Sequence, residues 1–587
     1  MTTTDLPAPF VLGGSLRLPS RSSGRSSGRS SWRNSVVSIA AILVLVAAPL
    51  RGLYRATGSS MEEGFMLVFP KLVQRGRAPN EDFLHLYGPA SLDVLAMWYR
   101  IAGDTLESQR TFGLLQHLGI IFALYTLGRA WGHLAAVGTA FVATMLILTP
   151  IGLSALAWHG ALALGLWSVV FAVRSLTTGA ARDLWWAGGL TGLALSYRPD
   201  LVVAITLVLA FLLWRRREGW PVLIAGTVVG LLPMWFHLAR VGPGTAIRGM
   251  VLDPIVELRP GRELPRPPGW SEADGALQAV AEGVPPWWGL PALGHSQQLF
   301  LWFFAVILIA CAVPLVGLVR AHRSGWSDPL APVLVGGGLF GLGILPQAMQ
   351  RPDSTHLAWV AVVSWSMLVP TLIVLARDRS TPGRRAVGVT VVVGVLMLVV
   401  CPFYTYRHYL LHTRVSLGQL PVPFLVERGD HRFWFGDFYV AEALNQMIPD
   451  LEARSEPGDR LIVGPADLSR TIYSDVSVYF LFPELEPATY HIEMDPGLAD
   501  AEGSGLADDI ETADFLVLTN IWTGWNEPNA SDLHLSREAN RAVADHFCLV
   551  ERYEDNLVLL YERCEGGGGV SPADVTGRFP VVSNDDT

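Results

Sequence analysis

The sequence predicts a mainly α, polytopic membrane protein of about eleven to twelve helical spans, followed by a C-terminal extracytoplasmic α/β soluble domain. Three observations carry this. The 587 residues are 51% hydrophobic and only 16% charged, against about 25% charged in soluble domains. Apolar stretches recur from residue 36 to residue 405, separated by loops that are repeatedly rich in arginine. After about residue 406, strand-like runs appear between turn residues, with Asp and Glu in surplus.

The elements follow in order. Residues 1–35 read as a disordered basic cytoplasmic tail, because Arg17, Arg21, Arg25, Arg29 and Arg33 recur in Ser/Gly-rich sequence with no apolar face. Apolar spans are placed near 36–53, 111–130, 133–150, 157–174, 184–197, 199–214, 221–240, 297–320, 330–347, 356–377 and 385–405. The 184–197 and 199–214 pieces are short enough to be two halves of one bent region, and 89–103, which carries Asp93 and Arg100, is either a twelfth span or a helix on the outer surface. Arginine-rich loops favour the cytoplasmic side. That rule puts Arg215 to Arg217, Arg320 to Arg323 and Arg377 to Arg385 inside. It then puts the first loop (54–110), 241–296, 348–356 and everything after 406 outside. The N-terminus is expected in the cytoplasm.

Residues 406–565 read as the α/β domain, since Arg460–Gly464 and Asp514–Thr519 look like strands and Tyr439–Ala453 like a helix. Residues 566–587 are Gly/Ser/Asp-rich and read as a flexible tail. Cys548 and Cys564 lie almost symmetrically about the turn Asp555-Asn556, so cross-strand pairing is expected if this region lies outside the cytoplasm. Cys311 and Cys401 fall inside apolar spans and read as packing residues.

The chemistry-bearing residues gather on the outer side. Glu62 and Glu63 follow the first span, and Asp82, His85 and Tyr87 share its external loop. His159 stands at the outer start of a span, Arg198 at an outer boundary before Pro199-Asp200, and Arg351, Asp353 and His356 in the short loop 348–356. Charged groups at a hydrocarbon edge face a cavity and a partner. A carboxylate held there is fitted to take a proton, and a guanidinium is fitted to hold a phosphate. Plainer readings stand beside each. Arg198 and Arg351 also suit snorkelling and local Arg–Asp pairing, His159 a packing role, His356 a helix cap, and Tyr87 an interfacial aromatic belt.

A resemblance is carried by Glu62-Glu63-Gly64-Phe65, then Gly76-Arg77-Ala78-Pro79-Asn80-Glu81-Asp82-Phe83-Leu84-His85-Leu86-Tyr87-Gly88-Pro89. Gly103, Gln109-Arg110, Leu127-Gly128-Arg129, Arg198-Pro199-Asp200 and Arg351-Pro352-Asp353 through His356 continue it. This pattern resembles the polytopic GT-C-fold glycosyltransferases, the protein O-mannosyltransferase-like and aminoarabinose-transferase-like enzymes among them. By architecture it covers about residues 36–405, with the specific motifs mainly in 60–130. The resemblance implies a polyprenyl-phosphate sugar donor, an extracytoplasmic acceptor and a catalytic carboxylate in the first loop. The family often carries Asp-Glu where this chain has Glu62-Glu63. Glu62 therefore aligns with the base, and which glutamate acts is left open.

The expected site is thus Glu62, Glu63 and Asp82 for catalysis, with His85, Tyr87, His159, Arg198, Arg351, Asp353 and His356 for substrate binding. No cofactor is expected, although Glu62, Glu63 and Asp82 offer oxygen ligands for a divalent metal. The sequence has no phosphate-binding P-loop, no dinucleotide fingerprint and no nucleic-acid signature. A flippase for a lipid-linked glycan is the alternative; such transporters tend to carry internal repeats, and none is evident here. An assembly protein that docks through the external domain is a third reading, and it leaves the acid pair unexplained.

Overall fold

The computed structural model describes residues 26–149, 152–214, 216–258, 263–264, 295–376, 381–471, 473–522, 531, 534–575 and 577. Arg17, Arg21, Arg25, Arg215, Arg377 and Arg379, most of loop 241–296 and the end of the C-terminal tail lie outside them.

Each predicted span coincides with helical structure. Among the described residues, Leu106–Trp131, Ala157–Thr178, Gln297–Arg323, Ala331–Gln350, Ser354–Leu375 and Pro382–Val400 are long and apolar enough to cross a membrane. Arg217–Gly230 and Leu232–Val241 form a seventh candidate, bent by 50°. The bend falls where Gly230 and Pro233 follow one another, and proline offers no N–H to the preceding turn. Shorter apolar helices run over Arg33–Ala47, His133–Ile147 and Pro199–Leu213, and Ala181–Tyr197 completes the set.

The predicted break between 184–197 and 199–214 sits at Arg198. Its backbone is extended (φ −143°, ψ 95°) between the helix Ala181–Tyr197 and the turn Pro199–Leu201. Pro199 causes this, because a residue preceding proline is driven out of the helical region. The helix Ala181–Tyr197 packs on Trp220–Gly230 through glycine. A Cβ on Gly188 would stand 2.1 Å from the Leu223 carbonyl oxygen, and one on Gly230 would stand 2.1 Å from that of Gly189. Small residues of this kind let membrane helices meet at backbone contact.

Two expectations need correction, at 26–35 and after Gly566, and an open choice at 89–103 is narrowed to the shorter alternative. The first helix begins at Ser26, so residues 26–35 belong to a helix and not to a disordered tail. Residues 89–103 hold a helix, Ala90–Ala102, of 13 residues, about 20 Å long and too short for a bilayer core. The tail after Gly566 is tied back over its first ten residues: Gly568 N–H donates to the Phe547 carbonyl (2.8 Å), Gly569 N–H to that of Ala544 (3.1 Å), and Asn520 Nδ2 to that of Val575 (3.1 Å).

The C-terminal domain is α/β, as expected. An antiparallel hairpin, β1 (Phe424–Arg428) and β2 (His431–Phe435), precedes the helix Phe438–Arg454. A five-stranded mixed sheet follows in the order β4-β3-β5-β7-β6, built from β3 (Arg460–Pro465), β4 (Glu486–Pro487), β5 (Phe515–Thr519), β6 (Phe547–Tyr553) and β7 (Val558–Arg563). The β6–β7 turn takes positive φ at Glu554, Asp555 and Asn556, which Asp and Asn tolerate best among residues with a Cβ. Cys548 and Cys564 are disulfide-bonded across this hairpin, 16 residues apart.

Closing a loop of that length stabilises a domain by about 3 kcal/mol in the chain-entropy model. The double variant C548S/C564S is therefore expected to lower the thermal midpoint of the domain. Reductant should do the same to the native protein and nothing further to the variant. Equal melting of native and reduced protein would refute a stabilising role.

Candidate active site

The helix Glu62–Gln74 opens with the acid pair, and carboxylates at a helix N-terminus are favoured by the helix dipole. Just before the helix, Ser59 Oγ donates to Glu62 Oε2, and the Glu62 N–H donates back to Ser59 Oγ at 3.3 Å. Consecutive residues on a helix diverge by about 100°, so the two glutamates serve different surroundings. Glu62 stays half-buried toward the loops.

Glu63 turns inward and meets Arg110 in a fork, with Nε to Oε1 at 2.8 Å and Nη2 to Oε2 at 2.7 Å. Both side chains are almost wholly buried, at 2% and 4% exposure. Arg110 Nη1 also donates to the carbonyls of Tyr54 (2.9 Å) and Leu53 (3.3 Å). Of the three expected catalytic acids, Glu63 thus has both oxygens in a buried ion pair, and Asp82 is exposed, its Oδ2 accepting from the Ala78 N–H at 2.6 Å and closing a turn. Among the described residues no three His, Cys, Asp or Glu gather as metal ligands, so the Glu62, Glu63 and Asp82 trio is not assembled.

The other expected residues form a chain of contacts. Arg198 lies over the Tyr87 ring at 4.7 Å and over the Trp158 ring at 5.2 Å, while its Nε and Nη2 grip Asp200 at 2.9 and 2.6 Å. Trp158 stacks on Trp359 with centroids 6.2 Å apart. Trp359 takes the edges of His159 at 5.6 Å and His356 at 4.9 Å. His356 Nδ1 bonds Asp353 at 2.7 Å, and Arg351 Nε stands 3.7 Å from the same carboxylate. Three separate loops are thereby joined through two tryptophans that sequence reasoning did not single out.

Asp353 also caps the helix Ser354–Leu375 by accepting from the His356 N–H at 2.8 Å. Burial raises the proton affinity of its carboxyl, but His356 and Arg351 outweigh this and hold it below the usual range. Tyr87 joins the chain to the acid pair. Burial pushes its phenol up to about 12, Arg198 opposes this, and the nearby carboxylates of Glu493, Asp495 and Glu62 add to it.

His85 is fully buried and packs edge-on against Phe69 (5.8 Å) and Tyr87 (5.5 Å). Its Nε2 meets Ser91 Oγ at 3.3 Å. Burial, with His237 and Arg198 adding, pushes its imidazole down to about 3. It is thus buried and neutral, with its ring packed against that of Tyr87.

Glu493 and Asp495 come from the C-terminal domain, which packs directly on the first loop. Ser477 N–H donates to the Ser60 carbonyl (3.0 Å), Leu84 N–H to that of Tyr490 (2.8 Å), and Gly58 N–H to that of Trp434 (2.8 Å). At Gly64 a Cβ would stand 2.6 Å from the Ser477 nitrogen. Sequence reasoning missed this contribution because 430 residues separate Glu62 from Glu493 only along the chain, and no local pattern marks the contact.

With this geometry in place, comparison identifies the fold. The chain is similar to ArnT from Cupriavidus metallidurans bound to undecaprenyl phosphate, at a TM-score of 0.50 and 14% identity, over 90% of this chain and 97% of that one. The apo form of the same protein aligns at a TM-score of 0.47 and 13% identity, over 94% and 100%. The oligosaccharyltransferase AglB from Archaeoglobus fulgidus, in complex with an inhibitory peptide and a dolichol-phosphate, aligns at 0.44 and 11%, over 88% and 73%. No family model and no curated protein matches the sequence. The chain therefore has the GT-C fold of polytopic membrane glycosyltransferases.

Two measurements test the assignments. Removing one partner of a buried ion pair costs about 3–5 kcal/mol, whereas apolar replacement of both is often neutral. Arg110→Ala should lower the thermal midpoint sharply, and E63L/R110M should recover most of the loss; additive losses in the double variant would refute the pairing. His85 supplies the pH test. Its folded value of about 3 lies below the ordinary 6.5, so the unfolded chain binds the proton first. The stability it contributes is complete above pH 6.5 and is lost as pH falls toward 3. One proton corresponds to about 1.4 kcal/mol per pH unit. Stability of His85→Phe should fall with acid by up to that much less per unit, and an unchanged slope would place the neutral histidine elsewhere.

Proposed function

We propose that the protein transfers a sugar from a polyprenyl-phosphate donor to an extracytoplasmic hydroxyl acceptor, with Glu62 as general base. The carrying observation is the division of the acid pair: Glu63 is committed to Arg110, while Glu62 stands half-buried at a helix N-terminus, where its charge reaches the surroundings of Tyr87. The GT-C fold, and a similar structure that holds undecaprenyl phosphate, support the donor class.

The chemistry balances on these residues. The acceptor oxygen attacks the anomeric carbon and its proton passes to the Glu62 carboxylate. The bond from the anomeric carbon to the phosphate oxygen breaks, and the lipid phosphate keeps the electron pair. Arg351 and Arg198, joined through His356, Trp359 and Trp158, form the cationic side that steadies this phosphate. The polyprenyl tail lies along the apolar helices, so the donor stays in the bilayer. In this reading the C-terminal domain lies outside the cytoplasm, and its Cys548–Cys564 bond supports that side. A flippase for a lipid-linked glycan is the alternative reading of the same polar face.

Glu62→Gln is expected to cut transfer of labelled sugar from a polyprenyl-phosphate donor by roughly 10²–10⁴-fold while donor still binds. Arg351→Ala should weaken donor binding and so raise KM. Near-normal turnover by Glu62→Gln would sink the base assignment, and retained lipid binding with no transfer in the native protein would favour the flippase.

A further inference from the structure

Beside the contact chain lies a second polar group, between the helices Leu106–Gly128 and Ala157–Thr178. Gln109, His117 and His159 are at most 1% exposed and Gln116 is 7% exposed. His117 and His159 meet with ring centroids 4.4 Å apart. His159 Nδ1 donates to the Ser154 carbonyl at 3.2 Å, and Gln109 Nε2 donates to Ser154 Oγ at 3.3 Å. What remains has no hydrogen-bond partner: Gln109 Oε1, both polar atoms of Gln116, both ring nitrogens of His117, and His159 Nε2. The indole nitrogen of the neighbouring Trp158 is also unpartnered. Gly160 lets Tyr197 and Gln116 come close to its helix, since a Cβ there would stand 2.5 Å from the Tyr197 ring and 2.9 Å from Gln116 Nε2.

So many buried donors and acceptors left without partners are expensive, and native interiors satisfy nearly all such groups. Apolar residues of similar size would fill the same space without that penalty. The chemistry of the group names what satisfies it. It consists of amides and imidazoles with aromatic faces alongside, and no carboxylate, lysine or arginine belongs to it. Neutral donors and acceptors in both senses match hydroxyl groups and not a phosphate. Because it is built from two membrane helices, it faces a ligand held in the bilayer, and through His159 it adjoins Trp359 and His356.

We propose that Gln109, Gln116, His117 and His159 receive the hydroxyl-bearing edge of the donor's glycosyl group and set which sugar the protein accepts. The inference rests on the lipid-linked donor proposed above and adds the subsite that reads it.

The test uses full-length protein in nanodiscs. Binding is measured for undecaprenyl phosphate without sugar and for undecaprenyl phosphates carrying glucose, mannose, galactose or arabinose. At least one glycosylated form should bind at least tenfold tighter than the sugar-free lipid. Gln116→Met and His117→Phe should each erase that margin and leave sugar-free binding within twofold. Each removes unpartnered polar atoms from a buried site, so thermal unfolding should stay level or rise, which guards against misfolding as the cause. His117→Gln should restore part of the margin. Equal binding of all lipids by the native protein overturns the proposal, because the group then holds water alone. Variants that lose sugar-free and glycosylated lipids alike overturn it as well. A protein that keeps the margin and loses it in the variants, yet transfers no sugar, upholds the subsite and drops the transferase reading. Transfer with unchanged sugar preference in both variants drops the subsite alone.

Discussion

The buried fork between Glu63 and Arg110 is the interaction on which the outer face depends. It joins the first turn of the helix Glu62–Gln74 to the helix Leu106–Gly128, and through Arg110 Nη1 it fastens the chain leaving the first span at Leu53 and Tyr54. Burying two ions is costly, and attraction offsets the cost only when the remaining donors are satisfied as well. Here the guanidinium meets both carboxylate oxygens and two backbone carbonyls, so both charges are matched. The same fork sets the rotation of its helix. With Glu63 aimed inward, Glu62 must emerge toward the loops, so its orientation follows from a contact it does not itself make.

The C-terminal domain extends this logic. Its hairpin and the segment around Ser477 lie on Gly58 and Gly64, the two positions flanking the acid pair where a side chain would collide with Phe433 and with the Ser477 backbone. The domain thus clamps the loop that carries Glu62 and adds Glu493 and Asp495 to its surroundings. It is part of the frame around the first loop.

The legible part of the molecule was the part written in local pattern. Apolar runs gave the spans, Pro199 gave the break at Arg198, and alternation about Asp555-Asn556 gave the disulfide hairpin. Arg198-Pro-Asp200 and Arg351-Pro-Asp353 were correctly seen as Arg–Asp neighbours, and both pair. The sorting of Glu62, Glu63 and Asp82 was not legible. Adjacent glutamates look alike in sequence, and what separates them is a partner 47 residues further on in Arg110. Asp82 looked chemical because it is acidic, yet its oxygen is committed to the Ala78 N–H four residues back. The linking tryptophans were not legible either, since indole side chains are common at interfaces and only their stacking distinguishes these two.

The division between the two glutamates bears on why a pair stands here at all. A lone carboxylate at a hydrocarbon edge must be both anchored and reactive, and these demands conflict. Anchoring by a guanidinium fork lowers proton affinity and occupies the lone pairs that a base needs. Splitting the work across neighbouring residues removes the conflict. Glu63 carries the anchoring charge into the core, and Glu62 is left half-buried at the helix terminus with the Ser59 hydroxyl against it. The extra methylene relative to aspartate gives each glutamate the reach for its own side of the helix: one spans inward to another span, the other outward to the loops.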